Sequence, residues 1–235
     1  MEKLLGAAIL LILLLFYIKT YNFRKYRRSR YHLETGNKRK KVKEDKGAAG
    51  EYETSMALEK VKGKKRFIFN AYIPKRNGKG STETDIILIH EKGILVIENK
   101  NYQGWIYGRG DKYQWTHVLP GRKFSFYNPI FQNESHIGNL KGFLGKEYSQ
   151  VPYLSVIIFN DQARLKRIKG CRDQAVVCNS RKAARKINRK LRTLPKVFTE
   201  EQIDEIYENL RTQSHVFRWV KAGHKRQVEK KKKCL

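Results

Sequence analysis

The chain has 235 residues, 40% of them hydrophobic and 31% charged, with a formal net charge of +29. Length and apolar content suffice for one domain of ordinary size plus appendages. Cys171, Cys178 and Cys234 match no zinc-ligand spacing, and Cys234, being penultimate, does not fit a prenylation box. The charge is segregated: residues 1–46 carry +9, residues 47–161 carry +5 and residues 162–235 carry +15. A near-ordinary globular centre is therefore flanked by basic ends suited to polyanions, either nucleic acid or anionic lipid headgroups.

Residues 4–18 form an uncharged apolar run. As a helix it spans about 22 Å, against a hydrocarbon core of roughly 30 Å. Lys19 can snorkel, and Tyr21 and Phe23 can sit at the interface, which closes the gap. No small-residue cleavage site follows, so residues 1–20 are expected to form an uncleaved single-pass transmembrane anchor. The Lys/Arg excess after it places that side in the cytoplasm and the N-terminus outside. Residues 21–45, basic and without apolar periodicity, are expected to be a linker along the membrane surface.

Composition changes at Lys46-Gly47-Ala48-Ala49-Gly50-Glu51. Ala49, Met56, Ala57, Leu58 and Val61 have helical spacing that ends at Gly63. Residues 67–73 alternate as a strand, with Phe67, Phe69 and Ala71 on one face and Ile68 and Tyr72 on the other. The loop at residues 74–81 is rich in Lys and Gly but lacks the Gly-x-x-x-x-Gly-Lys-Ser/Thr spacing, which excludes a nucleotide-binding P-loop.

Two apolar runs follow, residues 86–89 and 94–97, joined by Glu91-Lys92-Gly93 and read as a β-hairpin buried on both faces. With Glu91-Lys92 as the turn, Asp85 lies opposite Glu98, with Cβ atoms roughly 4.5–5.5 Å apart. Glu98 and Lys100 then share a face and Asn99 points away. Two carboxylates that close repel each other and call for a cation. Acids at strand ends are also common without any such role, and a one-residue slip would set Asp85 opposite Asn99 instead.

Trp105–Tyr107 and Tyr113–Trp115 read as short aromatic strands around a turn at residues 108–111. Asn128 and Pro129 open a helix whose buried face is Ile130, Ile137, Leu140 and Leu144. Residues 154–159 form a fully apolar strand and residues 175–178 a short parallel or edge strand. Ser180 is expected to cap a helix over residues 181–194, with Ala183, Ile187, Leu191 and Leu194 inward. Its other face carries Arg181, Lys182, Arg185, Lys186, Arg189 and Lys190, either a solvated surface or a nucleic-acid contact. Thr199-x-x-Gln202 is a capping box for a last helix containing Ile203, Ile206, Tyr207 and Leu210. Residues 223–235 are expected to be a disordered basic tail.

Five blocks occur in order: Lys46-Gly47-x-x-Gly50-Glu51; Thr82-Glu-Thr-Asp85-Ile; Gly93-Ile-Leu-Val-Ile-Glu98-x-Lys100-Asn101-Tyr102-x-Gly104; Trp115; and Asn128-Pro129-x-x-Gln132-Asn133. Over residues 46–160 this pattern resembles the NERD (nuclease-related) domain, a branch of the PD-(D/E)xK nuclease-like superfamily. The resemblance implies an α/β fold, a restriction-endonuclease-like core with a central mixed β-sheet flanked by helices. Residues 161–222 would complete the sheet and add basic helices. It also implies a Mg²⁺- or Mn²⁺-dependent nuclease acting on DNA, or alternatively on RNA. Asp85 and Glu98 would hold the metal, Glu51 would complete the ligand set and Lys100 would assist the attack on phosphorus. Gln132 would contribute a polar group. Glu53 competes with Glu51 for its role, and Tyr102 and Trp105 would either stack on bases or serve packing. The alternative is a catalytically silent module of the same fold that tethers nucleic acid or a partner at the membrane.

Overall fold

A computed structural model describes residues 1–171 and 175–214; the expected tail at residues 223–235, with Cys234, lies outside them. Four helices precede the first strand: α1 (Glu2–Arg28), α2 (Arg30–Thr35), α3 (Arg39–Glu44) and α4 (Lys46–Leu58). Helix α1 is long and apolar enough to cross a membrane, with a mean hydropathy of 2.2 in its most apolar stretch, none of it buried. Those properties fit a membrane anchor or a signal sequence. It runs past the expected end at residue 20 and docks on the domain through Tyr26, which is buried.

The stretch at residues 21–45, expected to be a linker, is instead helical and partly built into the core. Tyr31 and Val42 are buried with Tyr26. The Tyr31 ring meets Phe69 edge-on at 5.3 Å and the Tyr26 ring meets Tyr52 at 5.2 Å. Tyrosine rings supply enough apolar area to seat an otherwise basic segment.

Among the described residues nine strands follow, in two sheets. The first has the order β1 (Lys65–Pro74), β2 (Ser81–His90), β3 (Gly93–Lys100), β7 (Tyr153–Phe159) and β9 (Ala175–Asn179). Its first three strands are antiparallel and its last three parallel, so the sheet is mixed. The second sheet has the order β6 (Arg122–Tyr127), β5 (Gln114–Leu119), β4 (Gly104–Arg109) and β8 (Ala163–Lys169). Helix α5 (Pro129–Leu144) carries the chain from β6 to β7, and α6 (Ser180–Leu191) and α7 (Glu200–Ser214) follow β9.

The β2–β3 turn falls at Glu91-Lys92, with His90 paired to Gly93 and Ile86 to Ile97. Gly93 has φ +132°, and a Cβ there would lie 2.3 Å from the Pro152 carbonyl oxygen, so the turn requires glycine. One face of the first sheet packs Phe67, Phe69, Ile86, Leu88 and Ile97 against Leu58 of α4 and Ile187 of α6. The other packs Ile68, Ala71, Ile73, Ile87, Ile89 and Val96 against Leu140 of α5 and Ile206 of α7. Ile106, Trp115 and Phe159 join the second sheet to the first.

Ala71 thus lies with Ile68, not with Phe67 and Phe69 as strict alternation predicts. The cause is Asn70, whose φ of 52° is left-handed and reverses the facing of the residues after it. Asparagine is one of the few residues that adopts this conformation readily. Helix α6 starts at Ser180 and ends at Leu191, three residues short of the expected end. Asn179 occupies the cap position but its side chain donates to the Asn160 and Ala163 carbonyls rather than capping the helix, and the Ser180 hydroxyl donates to the Phe159 carbonyl. The Thr199/Gln202 box at the start of α7 forms reciprocally.

Candidate active site

The register of β1, β2 and β3 sets Asn70, Asp85 and Glu98 in one row across three strands, and the row interrupts both ladders. Pairing between β1 and β2 passes from Phe69↔Ile86 to Ala71↔Thr84, and the β2–β3 pairing stops at Ile86↔Ile97. In place of a backbone bond, Asp85 Oδ2 accepts the Asn99 N–H at 2.8 Å. The strands therefore part where their acids sit, and side chains enter the gap.

Glu98 is 3% exposed. Its Oε1 lies 2.7 Å from Lys100 Nζ, and Lys100 Nζ also donates to Gln132 Oε1 at 3.0 Å. Its Oε2 has no hydrogen-bond partner and faces His136 Nε2 at 3.4 Å. The His136 ring is held by Thr82, whose Oγ1 lies 2.9 Å from Nδ1. Gln132 and His136 are one helical turn apart on α5, so both reach the same side of the sheet. Sequence reasoning missed His136 and Asn70. The i, i+4 spacing from Gln132 was the available signal for the first, and the strand register for the second.

Glu51 comes from α4. Its Oε2 accepts the Tyr31 hydroxyl at 3.2 Å and the Asn70 amide at 3.1 Å. It reaches the end of the acid row but turns toward Asn70 and Tyr31. Among the described residues no three His, Cys, Asp or Glu side chains converge as a cation-binding set. The structure therefore brings Asp85, Glu98, Lys100 and Gln132 together but does not assemble the three-carboxylate ligand set expected of Asp85, Glu98 and Glu51.

Burial and the neighbouring Glu98 charge raise the Asp85 carboxyl well above its usual range. Burial also penalises ionised Glu98, but the Lys100 ammonium and the His136 ring outweigh it and hold that carboxyl low. Lys100 is kept charged against burial by Glu98. Burial lifts Glu51 to about 7, opposed by the bonds from Asn70 and Tyr31. The two adjacent acids are thus driven apart, Asp85 upward and Glu98 downward, as like charges in one site require.

Other residues of the blocks hold the architecture. Gly50 lets α4 approach β3: a Cβ there would lie 2.8 Å from Asn99 Nδ2 and 3.0 Å from Asn101 Cβ. Thr54 Oγ1 donates to Asn99 Oδ1 at 2.7 Å on the face away from the acids. Asn133 ties α5 to β3 and β7 through Val96 O and Ser155 Oγ. Asn128 caps α5 and donates to three carbonyls of the β4–β5 turn.

The two aromatics proposed for stacking separate. Tyr102 is half-buried, stacked on His117 at 4.9 Å and edge-on to Phe126 at 5.1 Å, so its ring serves packing. Trp105 is 45% exposed. On α6, Arg181, Lys182, Arg185 and Arg189 are exposed, whereas Lys186 turns inward to donate to the Val177 carbonyl at 2.9 Å.

A mixed sheet flanked by helices, with two acids and a lysine where β2 and β3 part, is consistent with a nuclease-like core. Residues 46–160 match the family described as the nuclease-related domain (NERD), and the chain carries that domain there. It is also 34% identical over 130 residues to an uncharacterized protein of Bacillus anthracis. That match covers 55% of this chain and 60% of the relative's length. No solved structure matches the chain.

Proposed function

We propose that the chain is a membrane-anchored, cytoplasm-facing, metal-dependent nuclease that hydrolyses phosphodiester bonds in DNA, with RNA as the alternative substrate. The observation that carries this is the acid row at the break in the sheet, with the buried Glu98–Lys100 pair beside Asp85. Its donors fit a hard divalent cation. Glu98 Oε2 is buried without a hydrogen-bond partner, and Mg²⁺ commonly takes one or two carboxylates and fills its remaining positions with water and phosphate oxygens. Asp85 and Glu98 would hold Mg²⁺ or Mn²⁺, with Glu51 at the end of the row. When bound, such a cation supplies charge neutralisation on a phosphate oxygen and a lower pKa for water.

The chain's own groups do the rest. Lys100, fixed between Glu98 and Gln132, offers N–H donors to a phosphate oxygen as negative charge builds on it. Gln132 restricts the Lys100 ammonium to one position, and His136 with Thr82 orients Glu98. Burial excludes water from these pairs and strengthens them. The unburied apolar α1 and the Lys/Arg residues after position 18 support the anchored, cytoplasm-facing topology.

The test is cleavage of DNA and RNA by the full chain in neutral detergent, with Mg²⁺, Mn²⁺ or EDTA. Cleavage that needs the cation and is lost in Asp85→Asn and Lys100→Gln is the expected result. Cleavage that survives in both variants overturns the assignment. That no third carboxylate converges among the described residues favours the alternative, a silent module that tethers nucleic acid or a partner at the membrane; it binds without cleaving under every condition.

A further inference from the structure

The second sheet has a face that the acid row does not use. Its four strands, GWIYGR, QWTHVL, RKFSFY and ARLKRIK, contain seven Lys/Arg residues and no Asp or Glu. One face is spent on the core: Ile106 and Trp115 are buried there. Alternation sends the other side chains outward. The register lines them up in two rows across the strands. Lys123, Val118, Trp105 and Arg164 form the first, and Ser125, Thr116, Tyr107 and Lys166 the second.

Each row thus has an aromatic on the central strand β4 and a cation on the edge strand β8, and Lys123 adds a cation on the opposite edge. Trp105 is 45% exposed, and Lys123, Arg164 and Lys166 are exposed as well. Lys166 Nζ stands 6.0 Å from the Trp105 ring centre. Trp105 and Tyr107 are two residues apart along β4, about 7 Å.

We propose that this face binds single-stranded nucleic acid. Unpaired bases stack on exposed aromatics while flanking cations track the phosphates. A duplex hides its base faces, and an open sheet has no helix or ribbon to place in its groove. An anionic membrane would be drawn by the same cations but would gain nothing specific from stacked rings. The inference shares with the proposed hydrolysis the premise that the ligand is nucleic acid, but not the premise of cleavage. β4 follows Lys100 after three residues, so the face and the acid row sit on one continuous stretch of chain.

The experiment measures binding in EDTA, where cleavage is silent. The full chain in neutral detergent is titrated into fluorescein-labelled oligo-dT of 20 nucleotides, roughly the longest strand one such face would need. A duplex of equal length and phosphatidylserine vesicles serve as competitors. The single strand is expected to bind more tightly than the duplex. Trp105→Ala should weaken it about ten-fold, while Trp105→Phe, which keeps an aromatic face, stays near the wild type. Arg164→Glu with Lys166→Glu should weaken it comparably and flatten its salt dependence. Arg185→Glu with Arg189→Glu on α6 should leave it unchanged. Wild-type affinity in Trp105→Ala, equal affinity for the duplex, or displacement by vesicles alone overturns the proposal. Cation-dependent cleavage together with any of those results would leave the proposed hydrolysis standing and this face without its role.

Discussion

Glu51 is the residue whose protonation has the clearest thermodynamic consequence. Its carboxyl is lifted from 4.5 to about 7 in the folded chain, chiefly by burial. Below pH 4.5 both states hold the proton and nothing is lost. Between about 4.5 and 7 the unfolded chain releases its proton first, so stability falls as pH rises. Above 7 the loss is complete, about 3 kcal/mol. Glu51→Gln keeps an acceptor for Tyr31 and Asn70 but does not titrate. Urea unfolding at pH 5 and pH 8 in EDTA should show the wild type losing more stability than the variant; parallel losses would refute the assignment. Lys100 needs a different control. Removing its ammonium leaves buried Glu98 with only the His136 ring beside it, and breaking a buried ion pair costs about 3–5 kcal/mol. Lys100→Ala is therefore expected to lower the melting temperature, and Lys100→Met combined with Glu98→Gln to recover much of it. Activity data on the single variant should be read beside its melting curve.

At the scale of elements, the legible parts were those whose geometry is local. The hairpin register followed from a two-residue turn before an obligatory glycine, and it set Asp85 and Glu98 side by side. The capping box of α7 was equally local. What escaped was set by tertiary contact. Nothing in residues 67–73 marks Asn70 as left-handed, because asparagine tolerates that conformation without demanding it. Strands β6 and β8 together carry six Lys/Arg among thirteen residues because one face is open, so no apolar alternation shows. His136 declares itself only once Gln132 is known to face the sheet. Gly50 makes the point from the other side: its place in the first block reads as a helix start, yet it is the close approach of α4 to Asn99 and Asn101 that excludes a side chain. Gly50→Ala should gain helix propensity and still lose about 1–3 kcal/mol from overpacking. Thermal melting reports it, and a stabilised variant would show that α4 can shift without cost.

For the molecule as a whole, the decisive fact is that the stretch after the apolar run, from the end of α1 through α3, is built into the core. Tyr26, Tyr31 and Val42 lie in the same core cluster as Phe69 and Leu88. Tyr31 bonds to Glu51, and Tyr207 of α7 donates to Glu34 Oε2 at 2.6 Å, so α2 is joined to both the acid row and the last helix. The domain boundary drawn by family resemblance, Lys46, therefore cuts through the core. Each large apolar side chain contributes about 1.5–3 kcal/mol on burial, so losing three removes an amount comparable to the whole stability of an ordinary domain, about 5–15 kcal/mol. A fragment of residues 46–214 is expected to melt without cooperativity or to aggregate, while residues 22–214, which keep Tyr26, Tyr31 and Val42 but drop the apolar run, should unfold in one transition. Near-ultraviolet circular dichroism with thermal melting separates the two. Equal cooperative melting of both would mean that the helices before α4 only lean on the domain, and that Glu51 is held by Asn70 without Tyr31.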